Sequence, residues 1–100
     1  MKTADEIRKN LEHIREYYSH EKMIGHPSKV VYPKNFAAML DAYNGAIKKA
    51  PANLQTVYNG LYVRYLTQKL LAKELKITEQ HTQLLNRNLI QYFAKFFSAA

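Results

Sequence analysis

The chain has 100 residues and a mass of 11.7 kDa, with 47% hydrophobic residues and only 3 glycines and 3 prolines; this excludes a disordered chain and predicts one domain over 1–100. It has no cysteine, which excludes a disulfide scaffold, a thiolate zinc site and a cysteine nucleophile. A formal charge of +7 favours nucleic acid, an anionic lipid surface or an acidic protein as partner, and residues 22–100 carry it, with eleven bases against three acids.

Four stretches show helical spacing of apolar residues. The first opens with Thr3-x-x-Glu6, a capping box in which each side chain satisfies the other's backbone amide. Ile7, Leu11, Ile14 and Tyr18 then follow at steps of four, three and four. Asp5 and Glu6 stand where a signal peptide would carry its apolar stretch, so a cytoplasmic location is expected. Gly25-His26-Pro27-Ser28 ends this helix, and Val30, Val31 and Tyr32 lead into Pro33 as an extended stretch.

A second helix is predicted from Lys34 or Asn35, using Phe36, Met39, Leu40, Tyr43 and Ile47. Pro51 separates it from a third, capped by Asn53 or started by Pro51 itself. That third helix is the long one, with Leu54, Val57, Tyr58, Leu61, Tyr65, Leu66 and Leu70 at helical intervals. Gly60 inside it costs about 1 kcal/mol relative to alanine, which close approach of a neighbouring helix would explain. Thr78 reads as the next N-cap, with Ile77 and Thr82 as an imperfect hydrophobic staple. The fourth helix carries Leu84, Leu85, Leu89, Tyr92, Phe93, Phe96 and Phe97. No strand pattern of any length occurs. The predicted fold class is all-α, an antiparallel four-helix bundle, and no apolar run approaches the roughly 18 residues of a membrane helix.

Candidate chemistry is sparse. His13, Glu16 and His20 share a side of the first helix about 130–170° from its apolar stripe, and so are placed facing solvent. His81 is placed partly buried near the start of the fourth helix. A buried carboxylate-bridged metal site needs inward Glu-x-x-His pairs on two helices, and the chain has none. No nucleophile elbow, phosphate loop or inward carboxylate pair is present. Neither an enzyme nor a cofactor is expected.

The fourth helix has an unusually wide aromatic face. With Leu85 as zero, Tyr92 and Phe96 lie within about 20°, Phe93 near 80°, Phe97 near 120° and Ile90 near 140°. A stripe that wide exceeds what one four-helix core covers. Either the 22–33 loop covers it, or Ile90, Phe93 and Phe97 form an exposed docking patch.

Leu71 through Gln80 also reads as the first helix and turn of a helix-turn-helix, and the charge suits nucleic acid. Lys76 occupies the turn position usually held by glycine, and Thr82 a core position usually held by a branched apolar residue. Only Arg87 follows the polar run Glu79-Gln80-His81-Thr82-Gln83 to reach phosphate.

Two stretches carry a family resemblance: Val57-Tyr58-Asn59-Gly60-Leu61-Tyr62-Val63-Arg64-Tyr65-Leu66-Thr67, and Leu75-Lys76-Ile77-Thr78-Glu79-Gln80 leading to Leu84-Leu85-Asn86-Arg87-Asn88-Leu89. With the Phe36–Ile47 segment and its proline-containing link, they make the chain resemble, over most of residues 30–90, the immunity proteins that protect Gram-positive producers of pediocin-like bacteriocins. The resemblance implies a cytosolic four-helix bundle without enzymatic activity. It implies recognition of the bacteriocin-occupied mannose phosphotransferase permease from the cytosolic side, keeping the pore closed, with the C-terminal half setting which bacteriocins are countered. On this reading Lys73, Lys76, Arg87 and Lys95 orient the domain at the anionic inner leaflet, while Ile90, Phe93 and Phe97 make the differential contact.

Overall fold

The computed structural model describes residues 3–22 and 34–98, the side chains of 20–22 excepted; the Gly25–Ser28 break and the Val30–Tyr32 stretch lie outside them. These residues are all-helical in their regular structure. The elements are α1 (Ala4–Lys22), α2 (Phe36–Ile47), α3 (Ala52–Tyr58), a π-helical turn (Asn59–Val63), α4 (Gln68–Leu75) and α5 (Glu79–Ser98).

Local signals set most of the boundaries. Glu6 N–H donates to Thr3 Oγ1 at 3.2 Å, so Thr3 caps α1, although Glu6 does not return the bond. Asn35 opens α2 from the left-handed region, at φ 72°, a conformation asparagine tolerates better than most residues. Pro51 takes the N-cap of α3, its carbonyl accepting from Leu54 and Gln55. The Gln55 amide turns back to donate to Lys48 O and Ala50 O, satisfying carbonyls just beyond the end of α2.

The long third helix of the sequence pattern is divided, so five α-helices stand among the described residues where four were expected. Arg64 N–H reaches Asn59 O and Leu66 N–H reaches Gly60 O, bonds longer in sequence than the α-helical step. Tyr65 then adopts φ 61°, the left-handed conformation that ends a helix. Gly60 explains how α4 folds back here. A Cβ at this position would stand 2.6 Å from Leu71 Cδ1. The close neighbour inferred from Gly60 is therefore α4.

One cluster of buried side chains draws on every helix, including Ile7, Leu11 and Ile14 of α1, Tyr43 of α2, Val57 and Tyr58 of α3, Leu71 of α4 and Leu89 and Phe93 of α5. Buried polar atoms in it are paired across elements: Asn10 Nδ2 donates to Tyr43 OH at 3.0 Å, and Tyr92 OH donates to Ala46 O at 2.7 Å. The helix α5 packs against α1, α2, α3 and α4. That placement decides what its aromatic face can do.

Candidate interaction surface

The predicted contact residues lie on α4, at its stop and along α5, and the geometry of the α4–α5 junction starts from two caps. Thr67 Oγ1 accepts from Leu70 N–H at 3.1 Å and begins α4. At the other end Lys76 sits at φ 59°, with its own N–H on Lys73 O and Ile77 N–H on Ala72 O. This is a Schellman stop with lysine in the position that glycine favours. Two residues later Thr78 Oγ1 accepts from His81 N–H at 3.0 Å and begins α5. The sequence reading of Thr78 as N-cap stands. Thr82 is fully buried and returns its hydroxyl to Thr78 O, so the core position it fills carries no unpaired polar group.

Lys73, Lys76, Arg87 and Lys95 are all exposed. Among the described residues the ion pairs are Arg8–Asp5 and Arg64–Glu74, which leaves these four cations without a carboxylate partner. Glu74 is held by Arg64, whose Nη1 contacts both carboxylate oxygens at 3.0 and 3.1 Å. This pair cancels one charge of each sign and leaves the net charge unchanged.

The apolar half of the predicted site is not at the surface. Ile90 is 5% exposed and Phe93 is fully buried, so neither can form an exposed docking patch. The Phe93 ring lies 4.8 Å from that of Tyr43 and 5.8 Å from that of Tyr58. Phe97 is half-buried, stacked near-parallel on Phe93 and 4.9 Å from the Tyr43 ring. The physical reason is the central position of α5: a helix touching four neighbours buries a wider arc than one at the corner of a bundle. Covering by the 22–33 loop falls outside the described residues.

Sequence reasoning missed the side chains that are exposed instead. Leu70 is 54% and Leu84 45% exposed, and Lys69 joins the cations on the outside of α4. Leu70 looked like a core residue because the apolar period runs unbroken through residues 61–70, whereas the break at 64–67 resets its phase. Leu84 was counted with the apolar residues of α5, but it precedes Leu85 by one residue, about 100° around the helix from it.

Two histidine placements also change. His81 is exposed. His13 is half-buried and its Nδ1 is buried without a hydrogen-bond partner among the described residues, rather than facing solvent. Glu16 is exposed, and the His20 side chain lies outside the described residues. No group of three or more His, Asp or Glu that could hold a metal ion occurs among the described residues. No helix there is long and apolar enough to cross a membrane. Comparisons of the chain with family models, curated proteins and solved structures find no match.

Proposed function

We propose that this protein is a non-enzymatic immunity protein that acts from the cytosolic side on the mannose phosphotransferase permease occupied by a pediocin-like bacteriocin. The observation that carries the reading is a bond between the two stretches behind the resemblance: Tyr62 OH donates to Asn86 Oδ1 at 2.5 Å. The two stretches on which the resemblance rests therefore pack as one unit. The arrangement is read as an antiparallel four-helix bundle whose third helix is broken at 64–67.

On this reading the contact is made by Lys73, Lys76, Arg87 and Lys95, joined by Lys69, Leu70 and Leu84. Ile90 and Phe93 contribute from the core, by holding α5 in place. The cations suit an anionic inner leaflet around the permease, and two exposed leucines among them suit a protein surface. The test is survival of a bacteriocin-sensitive Gram-positive strain expressing the protein, challenged with a panel of pediocin-like peptides. Selective resistance is expected, lost when Lys73, Lys76, Arg87 and Lys95 are replaced by glutamine in a variant that stays helical. Uniform sensitivity with the protein folded and present overturns the reading.

The second reading, a helix-turn-helix DNA-binding regulator, gains from two observations. Thr82 is fully buried at the core position of the second helix, and Lys76 takes the left-handed turn conformation such a motif requires. The exposed face beyond it, Gln80, His81, Gln83, Arg87 and Asn88, is polar enough for base edges. Retention of random duplex DNA that falls steeply with salt would move the reading there.

A further inference from the structure

A cavity of about 410 Å³ opens between α1, α2 and α3, within the range of small-ligand pockets. Its back wall is a hydrogen-bonded chain. Tyr58 OH donates to Asn44 Oδ1 at 2.9 Å, and Asn44 Nδ2 donates to Tyr18 OH at 3.3 Å. Burial pushes the Tyr58 hydroxyl well above the ordinary tyrosine range, and the direction of the chain is that of its two bonds, from Tyr58 through Asn44 to Tyr18. Tyr18 therefore ends the chain as an acceptor, and its own O–H has no acceptor among the described residues.

The rim adds two more donors. Lys48 and Asn59 line the cavity, both are exposed, and neither the ammonium nor the side-chain amide is paired among the described residues. Gln55 has spent both its N–H groups on Lys48 O and Ala50 O. Ile47, Val63 and the Tyr58 ring supply apolar wall, and no acid lines the cavity among the described residues. An unpaired cation and the Tyr18 hydroxyl beside an apolar wall, with no acid among the described lining residues, suit a ligand with an anionic end on an apolar body, while the Gln55 and Asn59 amide oxygens remain as acceptors at the rim.

We propose that this cavity binds a carboxylate attached to a compact apolar group, the carboxylate meeting Lys48 and the Tyr18 hydroxyl and the apolar group lying on Ile47 and Val63. The carboxylate has two possible sources, a free small acid or the C-terminus of a peptide. The site lies away from the α4–α5 cations, and it stands whether or not the immunity reading does.

The test is an NMR titration of the full chain with N-acetyl-leucine, N-acetyl-leucinamide and an acetylated tetrapeptide ending in leucine with a free carboxylate. The side-chain amides of Asn44, Gln55 and Asn59 should shift and saturate with N-acetyl-leucine in the millimolar range expected of so small a ligand. The uncharged amide should bind about tenfold more weakly, Tyr18→Phe should weaken the acid about tenfold, and Lys48→Gln about threefold. Lys48 is exposed and Tyr18 part-buried against the core, where phenylalanine keeps the ring, and unchanged helical circular dichroism verifies the fold. Tighter binding of the tetrapeptide assigns the site to peptide termini; equal binding assigns it to free acids. Equal shifts from acid and amide, or no saturable shift at about ten times the millimolar range, overturn the proposal.

Discussion

The guanidinium of Arg15 lies over the ring of Tyr65, 4.1 Å from its centroid, while its Nη1 donates to Leu61 O at 2.5 Å and Leu66 O at 2.8 Å. One side chain of α1 thus closes the break between α3 and α4. The π turn and the left-handed residue after it leave carbonyls that no helical N–H reaches. Arg15 supplies the donors, and Tyr65 supplies a face on which the cation can rest.

Arg15→Ala should destabilise the protein by about 2–3 kcal/mol, because two part-buried carbonyls lose a charged donor. Arg15→Lys should recover only part of this: one ammonium nitrogen can serve both carbonyls, as Nη1 does, but it has no guanidinium plane to rest on the Tyr65 ring. Tyr65→Gly separates the two roles of Tyr65. Alone it should be near neutral, because relief of a left-handed residue of about 1–2 kcal/mol offsets the lost cation–π contact of about 0.5–1 kcal/mol or more. In the Arg15→Ala background only the relief remains, so the same change should stabilise. Urea denaturation of the four proteins checks the cycle, and equal effects in both backgrounds would refute it.

That break is also where the sequence was hardest to read. Thr3, Pro51 and Thr78 mark their helix starts by local chemistry, and each was legible. Between Leu61 and Leu70 the apolar period continues and no proline or glycine interrupts it, so nothing local announces a stop. The stop is written in residues distant in sequence: Arg15 on α1, and the Gly60–Leu71 contact. The cations of the candidate surface were legible because exposed lysines need no partner to be recognised. The fate of Ile90, Phe93 and Phe97 was not, because the arc a helix buries depends on how many neighbours it has. Tyr43 and Tyr58 meet Phe93 from elements 35 or more positions away in the chain.

The two helical glycines should respond in opposite directions to alanine. At Gly60 the added methyl meets Leu71 Cδ1, Cδ2 and Cγ at 2.6, 3.0 and 3.3 Å, and Leu71 is itself 1% exposed and without room to move. Overpacking of about 1–3 kcal/mol should outweigh the gain of about 1 kcal/mol in helix propensity. At Gly45 nothing lies within 4 Å of the new atom, so alanine should stabilise by about 0.5–1 kcal/mol. Adding Leu71→Ala to Gly60→Ala should cost less than the sum of the single changes, since each relieves the other. Additive urea midpoints would show that the two residues do not press on one another.

Stability should fall at alkaline pH through buried tyrosines. Burial pushes the Tyr62 hydroxyl up to about 12, against the lowering effect of its bond to Asn86, and burial likewise raises Tyr43 and Tyr58. Below the ordinary tyrosine value of 10.0 both folded and unfolded chains keep these protons, and no stability is lost. Above it the unfolded chain releases protons that the folded chain retains, so each group removes up to about 1.4 kcal/mol per pH unit until its folded value is passed. Urea midpoints at about pH 9 and pH 11 should therefore differ strongly, and the slope should be shallower in Tyr62→Phe. A flat profile through pH 10–12 would contradict this.

Lys76 joins the fold to the proposed function most directly. It holds φ 59° at the stop of α4, where glycine would relieve about 1 kcal/mol and asparagine part of that. Its side chain is exposed, unpaired among the described residues, and part of the cationic surface. Lys76→Gly should raise stability by about 1 kcal/mol in urea denaturation while weakening protection in the survival assay. Lys76→Arg keeps both charge and strain, and should leave protection intact with no gain in stability. If Lys76→Gly stabilises the fold and protection is unchanged, the residue is only a helix stop, and the contact surface contracts to Lys73, Arg87 and Lys95. If Lys76→Gly fails to stabilise, the left-handed turn is not strained, and the residue's place there reflects the turn alone.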